Sequence, residues 1–229
     1  MNKLNKLISI FFILYFHHAV AEFTIDGTRF IYEEGKKNIS FSVTNKSSKA
    51  YGGQIWIDND SATDTVYMVS TPPFFKLNAE DKQIVRIIKT ESDLPIDRES
   101  LFWVNIQEIP PKENVIEGNF LFVAINTKLK LFYRPNSLIK GRKNAENKIE
   151  TIHLDDGFYL NNPTPYYFTV FNVYIDERKL KLPESVESEL AVFSPFKKIY
   201  IGSNIVKGNV SLDTINDWGG VENIKLHKQ

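Results

Sequence analysis

Short runs of strand-forming residues, separated by turn signals, follow one another along most of this chain. Each run is rich in Val, Ile, Phe, Tyr or Thr and ends near Gly, Pro, Asn or Asp, which is typical of strands joined by turns. Before residue 135 the runs are 23–32, 38–45, 52–58, 65–77, 82–90, 101–109 and the tract 119–135. Seven short antiparallel strands in roughly 110 residues favour an immunoglobulin-like β-sandwich.

A second series of strand-like runs follows the junction Arg134-Pro135-Asn136. Its members are 150–156, 157–162, 166–176, 190–194, 197–201 and 221–227. No stretch combines a sustained apolar period of about 3.6 residues with capping signals, so little helix is expected. The sequence therefore predicts an all-β protein with one domain at 22–135 and a smaller β-sandwich domain at 136–229.

The first residues have the composition of a secretory signal peptide. Lys3 and Lys6 precede an apolar run at 7–16, and the small residues Ala19 and Ala21 suit cleavage before Glu22. The run is too short to span a bilayer, and no later segment approaches about 18 apolar residues. We therefore expect residues 1–21 to be removed and the remaining chain to be exported without insertion into a membrane.

The composition excludes several classes of function. The chain has no cysteine, and His153 and His227 are the only histidines outside the predicted signal peptide. Zinc–thiolate sites and cysteine nucleophiles are thus excluded, and no nucleophile–base pair typical of a hydrolase is present. Basic and acidic residues are equal in number, so nothing favours nucleic acid as a partner. We predict no catalytic residues, no metal and no cofactor.

The tract at 119–135, NFLFVAINTKLKLFYRP, is apolar on both strand faces where it begins. Successive side chains of a strand point to opposite faces, so Leu121, Val123 and Ile125 form one row and Phe120, Phe122 and Ala124 the other. Two apolar faces need two partners. The residues alone leave two alternatives open, a fully buried core strand or an edge that awaits another protein.

Three cations lie within apolar strand sequence. Arg29 is in the first strand-like run, and Lys128 and Lys130 are in the tract. A cation beside apolar surface is well placed to meet an incoming anion, because a charge-assisted hydrogen bond is about twice as strong as a neutral one.

The tract ends in TKLKLFYRP at 127–135, which resembles a signature of bacterial periplasmic pilus-assembly chaperones, the PapD-like family. Other segments resemble the family in the same order along the chain. They are GTRFIY (27–32), STPPFFKL (70–77), DRESLFWVNIQEIPP (97–111), NNPTPYYFTV (161–170) and INDWGG (215–220). The connection at 112–119 is short and lacks a cysteine pair, which resembles the short-loop subclass of that family.

The resemblance implies two immunoglobulin-like domains in an L or boomerang arrangement with a cleft between them. By position, Arg29 and Lys130 would bind the C-terminal carboxylate of a pilus subunit, and Lys128 is the less favoured lysine. Leu121, Val123 and Ile125 would be donor-strand residues, whereas Phe120, Phe122 and Ala124 would pack into the chain's own sandwich. The residues that match the inter-domain charge network of the family are Glu99, Arg134 and Asp217.

The function that the resemblance implies is that of a non-enzymatic periplasmic chaperone. Such a chaperone binds pilus or fimbrial subunits by donor-strand complementation and delivers them to an outer-membrane usher. The exposed apolar row also makes self-association of the free protein possible. The alternative is a secreted immunoglobulin-like adhesion or structural module that uses the same edge for self-association.

Overall fold

The computed structural model describes residues 22–60, 63–90, 93–112, 123–203 and 208–226. Strands β1 to β9 are Phe23–Ile25, Arg29–Glu33, Ile39–Asn45, Tyr51–Asn59, Met68–Thr71, Phe74–Leu77, Lys82–Lys89, Ser100–Ile109 and Asn126–Arg134. Strands β10 to β16 are Glu150–Leu154, Gly157–Asn161, Val170–Ile175, Arg178–Lys179, Lys198–Gly202, Val210–Ile215 and Val221–Lys225. The described helices are α1 (Asn136–Ile139), a 3₁₀ helix (Ala145–Lys148) and α2 (Glu184–Ala191).

Two sheets form the N-terminal sandwich. One has the strand order β1-β3-β7-β5 and the other the order β2-β9-β8-β4-β6. Their inner faces enclose one apolar core, in which Val43, Val85, Val104 and Leu131 are fully buried. Inner and outer residues alternate along the strands, as expected for a sandwich whose core lies between two sheets.

The C-terminal sandwich has its own core. Its sheets have the orders β10-β11-β14 and β13-β12-β15-β16, and Leu160, Val170, Phe193 and Leu212 are fully buried between them. The predicted all-β class with two sandwich domains is confirmed. No helix in the described ranges is long and apolar enough to cross a membrane.

Two runs that the sequence predicts as single strands are each divided between the sheets. Run 23–32 forms β1, antiparallel to β3, and then β2, parallel to β9. Run 65–77 forms β5 and then β6, which pair with β7 and β4. The breaks fall at turn-forming residues, with Asp26-Gly27-Thr28 in the first run and Pro72-Pro73 in the second. Proline lacks the N–H that a continuous ladder needs.

The predicted strand at 190–194 is wrong. Helix α2 extends through Ala191, and Phe193 makes only an isolated bridge with Phe168. The helix begins after Pro183 and has Glu184 and Glu187 in its first turn, where the helix dipole favours negative charge. Leu190 is apolar and buried in the C-terminal core, as a strand residue would be, but it lies in helix α2.

Strands β13 and β15 were not predicted. Strand β13 has only two residues and therefore carries no usable pattern. Strand β15 does alternate, since Val210, Leu212 and Thr214 are buried and their neighbours are not.

Candidate functional site

Strand β9 has an open edge over part of its length. On one side it pairs with β8 from Asn126 to Tyr133. On the other side its parallel partner β2 covers only Lys130–Arg134, because β2 begins at Arg29 and the preceding residues cross to the other sheet. Within the described part of the chain, Asn126–Leu129 thus has no strand partner on the β2 side. Such an edge presents free backbone donors and acceptors.

The chain immediately before β9 is exposed. Val123 and Ile125 have 66% and 39% of their surface accessible, which excludes a fully buried core strand at these two positions. Neither belongs to a strand, although the Ile125 carbonyl accepts a hydrogen bond from the Glu108 N–H at 2.9 Å. Strand β9 therefore starts later than the sequence predicts, and Leu121 lies outside the described residues.

The expected division of the tract into two faces needs a correction. Ala124 is exposed and does not pack into the N-terminal sandwich, and Phe120 and Phe122 lie outside the described residues. The row of β9 that does enter the core is Leu129, Leu131 and Tyr133. These residues have the odd-numbered parity of Val123 and Ile125, not the even-numbered parity of Ala124.

Arg29 and Lys130 lie opposite each other where the open edge ends. Both reach across to the C-terminal domain. The Arg29 guanidinium donates to the carbonyl of Ile215 at 2.9 Å and to the hydroxyl of Thr169 at 3.4 Å. The Lys130 ammonium donates to the same hydroxyl at 2.8 Å and to the carbonyl of Ala191.

Neither of these two cations forms a salt bridge with a carboxylate in the described ranges, although the charge of Asp217 partly opposes the lowering of the Arg29 pKa by burial. The Arg29 Nε is buried within those ranges without a hydrogen-bond partner. Burial, reinforced by the neighbouring Arg29, lowers the pKa of Lys130 to about 8. Burial also lowers the pKa of Arg29. An anion that entered here would relieve both costs, because it would stabilise the charged forms.

Lys128 lies apart from this pair. Its side chain is exposed, and its ammonium is 4.7 Å from the centre of the Trp103 ring. This geometry is a surface cation–π contact.

Glu99, Arg134 and Asp217 are joined by salt bridges across the domain junction. Arg134 Nε is 2.6 Å from Glu99 Oε1, and Arg134 Nη1 is 2.7 Å from Asp217 Oδ2. Glu99 also accepts the Tyr167 N–H at 2.8 Å, so it contacts the C-terminal domain directly. Burial raises the pKa of Glu99, and its hydrogen bonds and the Arg134 charge oppose that shift.

Two further members of the charge network were missed in the sequence. Arg142 Nη2 is 2.6 Å from Glu146 Oε1 and 3.0 Å from Asp217 Oδ1. Arg142 and Glu146 flank the start of the 3₁₀ helix, and both are buried. Their spacing of four residues within a turn-rich segment resembles an ordinary surface pair, so the sequence offered no signal that they are buried.

Comparisons with known proteins cover both domains. Residues 22–139 match the family described as "Pili and flagellar-assembly chaperone, PapD N-terminal domain". Residues 144–225 match "Pili assembly chaperone PapD, C-terminal domain".

Among curated relatives, the chain is 43% identical to the Escherichia coli chaperone protein FanE, with 94% of this chain and 95% of FanE covered. It is 37% identical to the E. coli chaperone protein FaeE, with 92% and 81% covered.

Solved structures agree in fold. The periplasmic chaperone SfaE is 33% identical, with a TM-score of 0.70 over 90% of this chain and 100% of SfaE. The SafA pilin–SafB chaperone complex of Salmonella enterica is matched at 23% identity with a TM-score of 0.78, over 93% of this chain and 99% of the matched chain. Because each match extends over both domains, it supports the predicted L-shaped arrangement. The chain therefore belongs to the PapD-like family of pilus-assembly chaperones.

Proposed function

We propose that this protein is a periplasmic chaperone that binds fimbrial subunits by donor-strand complementation and delivers them to an outer-membrane usher. The observation that carries the proposal is the open edge of β9, which ends at two cations that form no salt bridge among the described residues. An incoming strand would pair with the open edge, and a carboxylate at the end of that strand would bind the two cations.

The position of β2 defines how an incoming strand would lie. A strand that pairs with Asn126–Leu129 would lie in line with β2 and would have to end where β2 begins, at Arg29. Cations at that point favour a C-terminal carboxylate over an N-terminal amine. The subunit strand would therefore run parallel to β9.

The exposed row supplies the apolar part of the interaction. A subunit that lacks a strand exposes both a groove and unpaired backbone groups, which leads to aggregation. Val123 and Ile125, together with Leu121, would fill that groove. Burying three aliphatic side chains contributes about 5 to 9 kcal/mol before ordering costs, and a carboxylate clamp about 1.5 to 3 kcal/mol.

The remaining parts of the proposal concern export and domain geometry. Residues 1–21 would direct the chain to the periplasm and be removed, leaving domains at 22–135 and 136–229. Glu99, Arg134 and Asp217 would hold the angle between these domains. The short connection before β9 stays a prediction, because residues 113–122 lie outside the described part.

The clamp is tested by Arg29→Ala and Lys130→Ala, each co-expressed with a tagged fimbrial subunit from the gene cluster that encodes this chain. We expect the amount of chaperone that co-purifies with the tagged subunit to fall at least about tenfold for each variant. Each variant loses a charge-assisted hydrogen bond worth about 1.5 to 3 kcal/mol. Lys128→Ala is the matched control and should behave like the wild type. Unchanged recovery with both Arg29→Ala and Lys130→Ala, combined with a stable dimer, would favour the adhesion module instead.

Binding is also expected to weaken as the pH rises through about 8, because Lys130 then loses its proton. The pH dependence of the stability of the free protein has the opposite direction. A lowered lysine pKa means that the unfolded chain binds the proton more tightly between pH 8 and 10.5, so this group adds stability as the pH rises. Subunit affinity measured from pH 6.5 to about 9.5 should therefore fall although deprotonation of Lys130 does not destabilise the free protein, and Lys130→Arg should flatten the profile because arginine stays charged. A profile that falls equally in Lys130→Arg would assign the effect to another group.

A further inference from the structure

A single side chain of the C-terminal domain holds both cations of the proposed clamp. The Thr169 hydroxyl accepts from Lys130 Nζ at 2.8 Å and from Arg29 Nη2 at 3.4 Å. A hydroxyl oxygen has two acceptor lone pairs, so these two bonds use its full accepting capacity. Thr169 itself is only 6% exposed, and its own carbonyl accepts the Ile215 N–H at 3.0 Å.

The other acceptors of the two cations are main-chain carbonyls. Ile215 provides one, at the end of β15. Ala191 provides the other, at the end of α2, where the free carbonyls and the helix dipole favour a positive charge. Thr169 is therefore the only side chain among the described acceptors of this pair, and the only one that a substitution can remove without changing the backbone.

Convergence of the two cations is not enforced by the N-terminal domain alone. Arg29 and Lys130 lie on adjacent strands, but both have long side chains with several rotamers. Two like charges also repel each other, and the charge of Arg29 contributes to the lowered pKa of Lys130. A shared acceptor offsets this repulsion and brings the two donors to one point.

We propose that Thr169 is a positioning residue of the carboxylate clamp, which makes the clamp a site shared by both domains. Thr169 holds the Arg29 guanidinium and the Lys130 ammonium in one place before the subunit arrives, so that a carboxylate meets two ordered donors. This inference rests on the proposed function. It assigns to the C-terminal domain a part in recognising the subunit terminus that is separate from the charge network around Arg134.

The test compares Thr169→Val, which keeps the shape and removes the hydroxyl, with Thr169→Ser, which keeps the hydroxyl. The probe is a synthetic peptide with the C-terminal sequence of a fimbrial subunit from the same gene cluster, prepared with a free carboxylate and with a C-terminal amide. For the full-length mature protein we expect Thr169→Val to raise the Kd of the acid peptide about tenfold. Without the hydroxyl, peptide binding itself has to order the long side chains of Arg29 and Lys130, and that ordering costs free energy. The Kd of the amide peptide should be unchanged, and Thr169→Ser should bind both peptides like the wild type.

Each result distinguishes the inference from the function on which it rests. If the wild type does not prefer the acid peptide, the clamp itself is wrong. If the wild type does prefer it and Thr169→Val has the same preference, or a stronger one, only the role of Thr169 is overturned. Equal weakening for both peptides would also overturn it, since that is the signature of a general structural defect. Thr169→Ala replaces Thr169→Val if the latter does not fold.

Discussion

Replacing Val123 with aspartate is expected to weaken subunit binding more than a hundredfold. The substitution loses about 1.5 to 3 kcal/mol of apolar burial and places a carboxylate in the apolar groove of the subunit, which costs several kcal/mol more. The free chaperone should keep its stability, because Val123 is 66% exposed and makes no core contact. Recovery of the co-expressed subunit by affinity purification, together with thermal unfolding of the free protein, measures both quantities.

Val66 offers a matched control for this experiment. It is the same residue type with 61% of its surface exposed, and it precedes β5 rather than β9. Val66→Asp should leave subunit recovery within about twofold of the wild type, since exposed substitutions away from contacts have small effects. If Val123→Asp assembles with the subunit as well as Val66→Asp does, the exposed row is not a donor strand.

Replacing Arg134 with alanine is expected to lower the free energy of unfolding by about 3 to 5 kcal/mol, the usual result of removing one partner of a buried ion pair. Glu99 is only 2% exposed and would lose its partner at 2.6 Å. Asp217 is affected less, because Arg142 lies 3.0 Å from its other oxygen. Urea unfolding followed by circular dichroism measures the change.

Two variants calibrate that result. Lys46→Ala removes an ion pair with Glu80 in which both side chains are about half exposed or more, and it should cost less than about 1 kcal/mol. Arg134→Lys keeps the charge but lacks the planar guanidinium that bonds Glu99 and Asp217 together, so it should fall between the wild type and Arg134→Ala. A loss below about 1 kcal/mol in Arg134→Ala would show that the network does not brace the domain junction.

Local patterns predicted most of the fold. Alternating apolar residues identified the long strands β3, β4, β7 and β8, since the two-residue period of a strand is visible without its neighbours. The failures occurred where short-range signals are ambiguous. Runs 23–32 and 65–77 cross between sheets at Gly or Pro, and the apolar run at 190–194 is partly the end of a helix.

The candidate site was predicted in part. Resemblance to the family identified Arg29, Lys130, Glu99, Arg134 and Asp217 by position, and the structure brings the first two together at the end of the open edge and the other three into one set of salt bridges. The sequence indicated no role for Thr169, Arg142 or Glu146, although Thr169 lies in the segment 161–170 that resembles the family. Each is an ordinary polar or charged residue, and its role depends on being buried beside a residue from a distant part of the chain.

By itself, the sequence determined the all-β class, the two domains and the absence of cysteine chemistry, because these depend on composition and on local periodicity; the export signal stays a prediction. Only the tertiary structure decided where the edge of β9 is open. That depends on the chain leaving one sheet at Asp26-Gly27-Thr28 and pairing Arg29 with Lys130, a partner about a hundred residues away. The packing of two sheets against one core determines this pairing, and it cannot be predicted from a local sequence pattern.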